Sequence, residues 1–278
     1  MSPQDPAPQP AAAAGTQSGT APVYLVTGVL RPSSVATAVA RLAQRGGDRV
    51  LLTAPPATAR LTTAQARRLG VTEPVLSWDA ADPGSGDQLR EQLQARGVTR
   101  LDGVLHAVAH ADASLLGSLL PGAQPLETAT RARLLEQAFT VSAASLVALA
   151  EGLRSLLGPG GSLVALTFDT GHVHQGYGWM GPLKAALESA VRGLAVELGP
   201  SGVQVNAVSL GPLSTPAAQA IPGFPQLAED WAGRAPQGWD PADPAAAART
   251  VLALLSGALP GVTGQVLPCD GGGTLSLG

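Results

Sequence analysis

Short apolar runs alternate with amphipathic stretches along most of the chain. The runs have strand length and end at Gly, at Pro or at small and polar residues, whereas the stretches between them place apolar residues at helical spacing. The predicted strands cover 23–27, 49–53, 74–78, 101–108, 162–168, 203–210 and 265–268. One predicted helix starts near Ser34, and the other predicted helices cover 87–96, 130–157, about 177–198 and 245–255. This alternation predicts a parallel sheet that is covered by helices on both faces.

The pattern therefore favours one α/β domain: a single doubly wound, Rossmann-type domain over residues 21–278, with a parallel sheet of about seven strands. Residues 1–20 are rich in Pro, Ala, Gln and Ser and contain no Arg or Lys, so we predict a disordered tail there. In doubly wound sheets, ligands bind at the carboxyl ends of the strands. Gly28, Asp79 and Gly211 directly follow predicted strands and Phe168 ends one, which indicates a site along that edge.

Composition and charge narrow the function class. The net charge is −3 and no basic stripe is present, which argues against nucleic acid as a partner. The single cysteine, Cys269, excludes an internal disulfide and favours a reducing cytoplasm. No apolar run reaches the roughly 18 to 20 residues that a membrane span needs, so no membrane association is expected.

Tyr177 and Lys184 form the most informative pair of residues. Lys184 is the only lysine among 17 basic residues, and Tyr177 is one of two tyrosines. Both are predicted to lie at the start of a helix, where residues seven apart return to nearly the same face and can point into one pocket. A polar stripe on a solvated helix face is the alternative, and the functional interpretation is favoured.

The first strand ends in a turn that is suited to an anion. Gly28 permits a tight turn, and the free N–H groups near Ser34 and Val35 can hold a pyrophosphate, although the G-x-G-x-x-G fingerprint is missing. An ordinary βα turn is an equal alternative. Asp79 is a candidate for the adenine amino group, with a turn or cap role equally open. The second strand ends in Thr53-Ala54-Pro55, without the carboxylate that usually binds a ribose 2′-hydroxyl.

Together these segments resemble the enoyl-[acyl-carrier-protein] reductases of the short-chain dehydrogenase/reductase superfamily. The resemblance covers residues 22–278, and Tyr177-x6-Lys184 is its most specific part, because carbonyl-reducing relatives use Tyr-x3-Lys and position 181 is Gly. The other matching segments are Thr27-Gly28, Ser33-Ser34-Val35-Ala36, Leu101–His106, Asn206-Ala207-Val208, Gly211–Thr215, Arg234–Gly238 and Asp270-Gly271-Gly272.

The resemblance implies reduction of trans-2-enoyl thioesters with NADH in fatty acid biosynthesis. It implies that Tyr177 bonds the thioester carbonyl, that Phe168 lies beside the substrate, and that residues 211–238 cover the acyl group. The residues implied to line the cofactor are Gly28, Ser34, Val35, Asp79, Ala109, Lys184, Leu213 (through its backbone) and Thr215. The substrate would be presented by acyl carrier protein or coenzyme A, and the assembly would be a homotetramer.

Two other functions stay open at this point. A carbonyl or ketoacyl reductase of the same superfamily is disfavoured by Gly181. A nucleotide-binding regulator without turnover is suggested by Pro182, which lies inside the expected helix, and by Ala107, where the family commonly has Ser. A metal site built from Asp169, His172 and His174 is disfavoured, since loop histidines are usually solvated, and we predict no metal.

Overall fold

The computed structural model describes residues 21–120, 122 and 125–276; the predicted disordered tail, 1–20, lies outside them. A seven-stranded sheet, parallel throughout, has the strand order β3-β2-β1-β4-β5-β6-β7. The strands are β1 Val23–Val26, β2 Arg49–Ala54, β3 Leu76–Ser77, β4 Leu101–His106, β5 Leu157–Phe168, β6 Gln204–Leu210 and β7 Val266–Cys269. The strand order reverses between β1 and β4, the place where doubly wound sheets bind their ligands. The predicted fold class is therefore confirmed.

Helices pack on both faces of this sheet. They are α1 Val35–Gly46, α2 Ala59–Leu69, α3 Ser85–Gln94, α4 Thr128–Phe139, α5 Ser145–Leu153, α6 Met180–Leu198, α7 Pro216–Gln219, α8 Phe224–Arg234 and α9 Ala245–Leu255. Apolar side chains of α3, α5 and α6 form one core with the sheet. Those of α1 and α9 form a second core on the opposite face. The central strands are thus covered on both sides, which explains why their buried parts are largely apolar.

The sequence prediction does not include helices α2, α7 and α8, and several of its strand bounds differ from those observed. The α2 residues that face inward are Thr62, Gln65 and Ala66, so this helix has no apolar periodicity that could reveal it. Strand β3 has only two residues, and β4 ends at His106 rather than at Val108. Strand β5 begins at Leu157 instead of Ser162, with a register shift against β4 at its start.

The predicted helix at 130–157 is one continuous helical segment with a π-helical turn at Thr140–Ala144 between α4 and α5. By length and composition this segment, Thr128–Leu156, is apolar enough to cross a membrane, because an 18-residue window within it has a mean hydropathy of 1.3. The expectation that no stretch meets this criterion is therefore wrong. Within the fold, Leu146, Leu149 and Leu153 of this segment are fully buried against the sheet, and core helices of this kind meet the same criterion.

Helix α6 begins at Met180, so Tyr177 precedes the helix. The prediction that Tyr177 and Lys184, seven residues apart, lie on one face of a helix is therefore wrong. Pro182 is the third residue of α6. A proline in the first turn removes no intrahelical hydrogen bond, because the first N–H groups of a helix have no partner within it. The helix therefore accommodates Pro182 by starting just before it.

Candidate active site

The turn after β1 is packed directly against the end of β4. Gly28 has a φ of 77°, and a Cβ atom at this position would overlap the carbonyl oxygen of Ala107. The Thr27 hydroxyl accepts a hydrogen bond of 2.8 Å from the Ala107 N–H, which ties the two strand ends together. Only glycine fits this backbone conformation and this spacing. The result is a bare backbone surface at the switch point of the sheet, as a dinucleotide phosphate requires.

The amino terminus of α1 faces the same region. Ser34 is its N-cap in an extended conformation, and its hydroxyl oxygen accepts from the Thr37 N–H at 3.2 Å. Val35 is the first helical residue, and the first turn carries no acidic side chain. The first N–H groups of α1 and the positive end of its dipole are thus compatible with an anion.

Asp79 and Ala109, the two other residues predicted at this edge, follow strand ends. One carboxylate oxygen of Asp79 accepts from the Ala81 N–H at 2.9 Å, and the Asp79 carbonyl accepts from the Ser85 hydroxyl at 2.7 Å. Asp79 therefore has the turn role that the sequence left open as an alternative. Ala109 lies three residues beyond β4 and is exposed.

Lys184 is buried in the first half of α6, with only 7% of its surface exposed. Its ammonium donates a hydrogen bond of 2.8 Å to the carbonyl oxygen of Leu166 on β5. Burial lowers the pKa of Lys184 to about 8, an effect that the nearby Glu188 carboxylate partly opposes. The side chain is therefore not a surface cation. It remains charged at neutral pH and lies beside the carboxyl end of β5.

Glu188 was not singled out in the sequence, although it lies four residues after Lys184 on the same helix face. The side chain is buried, and its two oxygens accept hydrogen bonds of 2.8 Å from the hydroxyls of Thr167 and Thr170. These contacts join α6 to the end of β5. They also supply a negative charge near Lys184, which stabilises the charged ammonium.

Tyr177 lies in the loop between β5 and α6 and is 8% exposed. Its N–H donates to the His174 carbonyl at 3.1 Å, and its ring lies edge-on to Phe168 with centroids 5.1 Å apart. Burial and then the charge of Glu188 raise the pKa of Tyr177 above its usual value. The phenol is thus a hydrogen-bond donor throughout the neutral range. Tyr177 and Lys184 approach the same end of β5 through Phe168 and Leu166.

The segment after β6 folds over this edge. Leu213 is buried, and its carbonyl accepts from the Thr215 N–H at 2.7 Å. Thr215 is the N-cap of α7, its hydroxyl oxygen accepting from the Ala218 N–H at 3.2 Å. Trp231 of α8 is completely buried with its ring centroid 5.7 Å from that of Phe168. Trp231 therefore brings the segment 211–238 into contact with Phe168. The sequence alone indicates no role for Trp231.

Asp169, His172 and His174 form a hydrogen-bonded group in the same loop. One oxygen of Asp169 bonds His174 Nε2 at 2.7 Å and His172 Nδ1 at 3.0 Å. Across the described parts of the chain, no group of three or more His, Cys, Asp or Glu side chains has an arrangement that could hold a metal ion. The described side chains thus provide no support for the metal alternative.

Comparison with known proteins agrees with this geometry. The family model described as enoyl-(acyl carrier protein) reductase matches residues 28–274. The chain is 34% identical to an enoyl-[acyl-carrier-protein] reductase [NADH] of Mycolicibacterium smegmatis, over 91% of this chain and 96% of that protein. It is also 32% identical to the corresponding [NADH] enzyme of Synechocystis sp., over 89% of this chain and 94% of that protein. It is 30% identical to the [NADPH] enzyme of Staphylococcus aureus, over 90% of this chain and 95% of that protein. The chain belongs to the enoyl-[acyl-carrier-protein] reductase family.

Proposed function

We propose that this protein is an NADH-dependent enoyl-[acyl-carrier-protein] reductase, which converts trans-2-enoyl thioesters to saturated acyl thioesters in fatty acid biosynthesis. The observation that carries the proposal is the burial of Lys184 and Tyr177 at the end of β5, beside Phe168. A solvated polar stripe would leave both side chains exposed. Family membership supplies the reaction class that this arrangement serves.

The residues around the switch point fit a dinucleotide. The bare backbone at Gly28 and the free N–H groups after Ser34 would hold the pyrophosphate, with Ala109 and Asp79 farther along the edge. Lys184 would hold the nicotinamide ribose, and Leu213 and Thr215 would line the nicotinamide. When bound, NADH supplies the hydride that adds to C3 of the enoyl thioester.

Tyr177 would donate a hydrogen bond to the thioester oxygen, on which negative charge develops as C3 is reduced. A donor held in advance at such an oxygen contributes about 3–4 kcal/mol to catalysis. The raised pKa of Tyr177 keeps its proton in place for this role. Lys184, charged below its pKa of about 8, adds a positive potential at the same end of β5. C2 then takes up a proton to complete the reduction.

Residues 211–238 would cover the acyl group, and the contact of Trp231 with Phe168 supports this assignment. The carrier would be acyl carrier protein, as in the names of the relatives, or coenzyme A. The free cysteine, Cys269, is consistent with a cytoplasmic location, which cell fractionation would test.

Enoyl-dependent oxidation of NADH is the direct test. We expect a higher kcat/KM with NADH than with NADPH, because Thr53 and Ala54 at the end of β2 provide no cation for a 2′-phosphate. Turnover of a 3-ketoacyl thioester instead would favour the carbonyl-reductase alternative. Cofactor binding without any turnover would favour the regulator, and a preference for NADPH would overturn the cofactor assignment alone.

We also propose a homotetramer, assembled in part through the groove between the α4–α5 segment and α6. This groove is lined by Glu151 and otherwise by apolar and small residues, of which Phe139 and Val147 are about half exposed. We expect sedimentation to give a tetramer for the wild type and a smaller species for Val147→Arg. Leu61→Arg, which changes an equally exposed leucine on α2, should remain tetrameric. A monomeric wild type would contradict the proposal.

A further inference from the structure

The ring of the proposed catalytic tyrosine belongs to a cluster of four packed rings. This aromatic cluster consists of Phe168, His174, Tyr177 and Trp231. Phe168 lies at its centre, with its ring centroid 4.6 Å from His174, 5.1 Å from Tyr177 and 5.7 Å from Trp231. The position of the Tyr177 ring therefore depends on how Phe168 is held from its other sides.

Trp231 is the fixed member of the cluster. It is completely buried, and its indole N–H donates a hydrogen bond of 2.9 Å to the Asp270 carbonyl. Its ring is also packed so closely against Gly273 that a Cβ atom there would overlap it. The carboxyl-terminal segment thus provides a rigid support for one side of Phe168 and His174.

The His174 ring packs against both Phe168 and Trp231, and Asp169 fixes its orientation. The side chain is 3% exposed, and Nε2 lies 2.7 Å from the Asp169 carboxylate. Burial raises the pKa of Asp169, but hydrogen bonds from His174, the Gly171 N–H and His172 outweigh this and lower it. The carboxylate is thus charged at neutral pH, and a charge-assisted hydrogen bond restrains the imidazole more strongly than a neutral one.

A carboxylate–imidazole pair is also part of the hydrolase triad, in which the second ring nitrogen contacts a nucleophile. Within the described part of the chain, the hydrogen bonds of the His174 side chain include no serine, threonine or cysteine. The remaining ring contacts of His174 are with Phe168 and Trp231. The pair is thus arranged to hold an aromatic ring and not to activate a nucleophile.

We propose that His174, held by Asp169, is a positioning residue that fixes Phe168 and through it the hydroxyl of Tyr177. This inference rests on the proposed enoyl reduction for its kinetic consequence, and it adds two residues to which the sequence assigned no role in that reaction. Misplacement of a catalytic group by about 1 Å can lower turnover by about a hundredfold. Loss of the hydrogen bond should therefore lower kcat while leaving NADH binding unchanged.

The chain offers a matched control. His172 bonds the same Asp169 oxygen, but its side chain is 46% exposed and lies at the surface. We expect His174→Phe, which keeps a ring and loses the donor, to lower kcat at least fivefold with NADH affinity within twofold of the wild type. Asp169→Asn, which replaces the charge-assisted hydrogen bond by a weaker neutral one, should have a similar effect, and the double variant should be no worse than either single one. His172→Ala should keep the wild-type kcat.

A second readout is independent of activity. The sequence contains only three phenylalanines, so a protein labelled with ¹³C at Phe gives few aromatic signals, and Phe168→Leu identifies those of residue 168. We expect the Phe168 signals to shift or broaden in Asp169→Asn and to stay unchanged in His172→Ala. Asp169→Asn also serves if His174→Phe does not fold.

Wild-type kcat in Asp169→Asn, or an equal loss in His172→Ala, would overturn the positioning role, as would unchanged Phe168 signals in Asp169→Asn. If the wild type does not reduce enoyl thioesters, the proposed function fails. The Phe168 signals still decide whether Asp169 and His174 hold that ring, so the two failures are distinguishable.

Discussion

Replacement of Lys184 by arginine should leave the fold intact, weaken NADH binding and lower kcat/KM at least about tenfold, which corresponds to roughly 1.4 kcal/mol. Lys184 is buried and its single ammonium reaches the Leu166 carbonyl. A guanidinium is wider and planar, and it cannot present one compact donor in the same space. Arginine occupies every other basic position in the chain, so tolerance of arginine at 184 would mark a position without a specific role.

Two further variants distinguish loss of NADH binding in Lys184→Arg from a general loss of structure. Tyr177→Phe should spare NADH binding and lower turnover, because the phenol is proposed to contact the thioester and not the ribose. Arg192→Lys, the reverse exchange at an exposed position of the same helix, should behave as the wild type. NADH titration followed by steady-state enoyl reduction gives both quantities. Wild-type kinetics in Lys184→Arg would end the catalytic interpretation of the Tyr177/Lys184 pair.

The sheet and most helices could be predicted because each is encoded locally. Strands buried on both faces are continuous apolar runs, and α1 has a serine cap, an apolar face and Gly47 after its last residue. Helix α2 escaped prediction because its inward face consists of Thr62, Gln65 and Ala66. Its burial comes from tertiary packing against β2, which no local pattern reports.

The sequence identified residues of the candidate site better than it predicted how they contact one another. The rarity of Lys and Tyr pointed to Lys184 and Tyr177, but the structure joins them through Leu166 and Phe168 of β5 and not through one helix face. Trp231 reaches Phe168 from a segment more than sixty residues away in sequence. Spacing within one element cannot reveal such contacts, because they depend on how separate elements meet.

The role of Glu188 could be predicted only in part from the sequence. Its position four residues after Lys184 is visible in the sequence, whereas its hydrogen bonds to Thr167 and Thr170 require the approach of α6 to β5. A buried carboxylate that accepts two hydroxyls is well satisfied. The pKa of Lys184 beside it is lowered in spite of that negative charge. The Glu188 carboxylate therefore offsets only part of the free-energy cost of burying the charged ammonium.

This incomplete compensation predicts that Lys184→Met stabilises the protein without bound cofactor at neutral pH while removing activity. The folded-state pKa of about 8 lies below the ordinary value of 10.5. The charged ammonium therefore costs stability in full below pH 8, and the cost is relieved as the pH rises to about 10.5. A difference of this size corresponds to about 3 kcal/mol. The lost hydrogen bond to Leu166 offsets about 1 kcal/mol of that gain.

Urea unfolding should thus show Lys184→Met to be more stable than the wild type by about 2 kcal/mol at pH 7, a gain that shrinks steadily between pH 8 and pH 10.5. Arg192→Met, which removes an exposed cation from the same helix, should stay within about 0.5 kcal/mol of the wild type at every pH. A variant less stable than the wild type at pH 7, or a gain that does not change with pH, would contradict the prediction. The expected pair of results, higher stability and no turnover, follows when a buried charge is kept for the reaction at the expense of the fold.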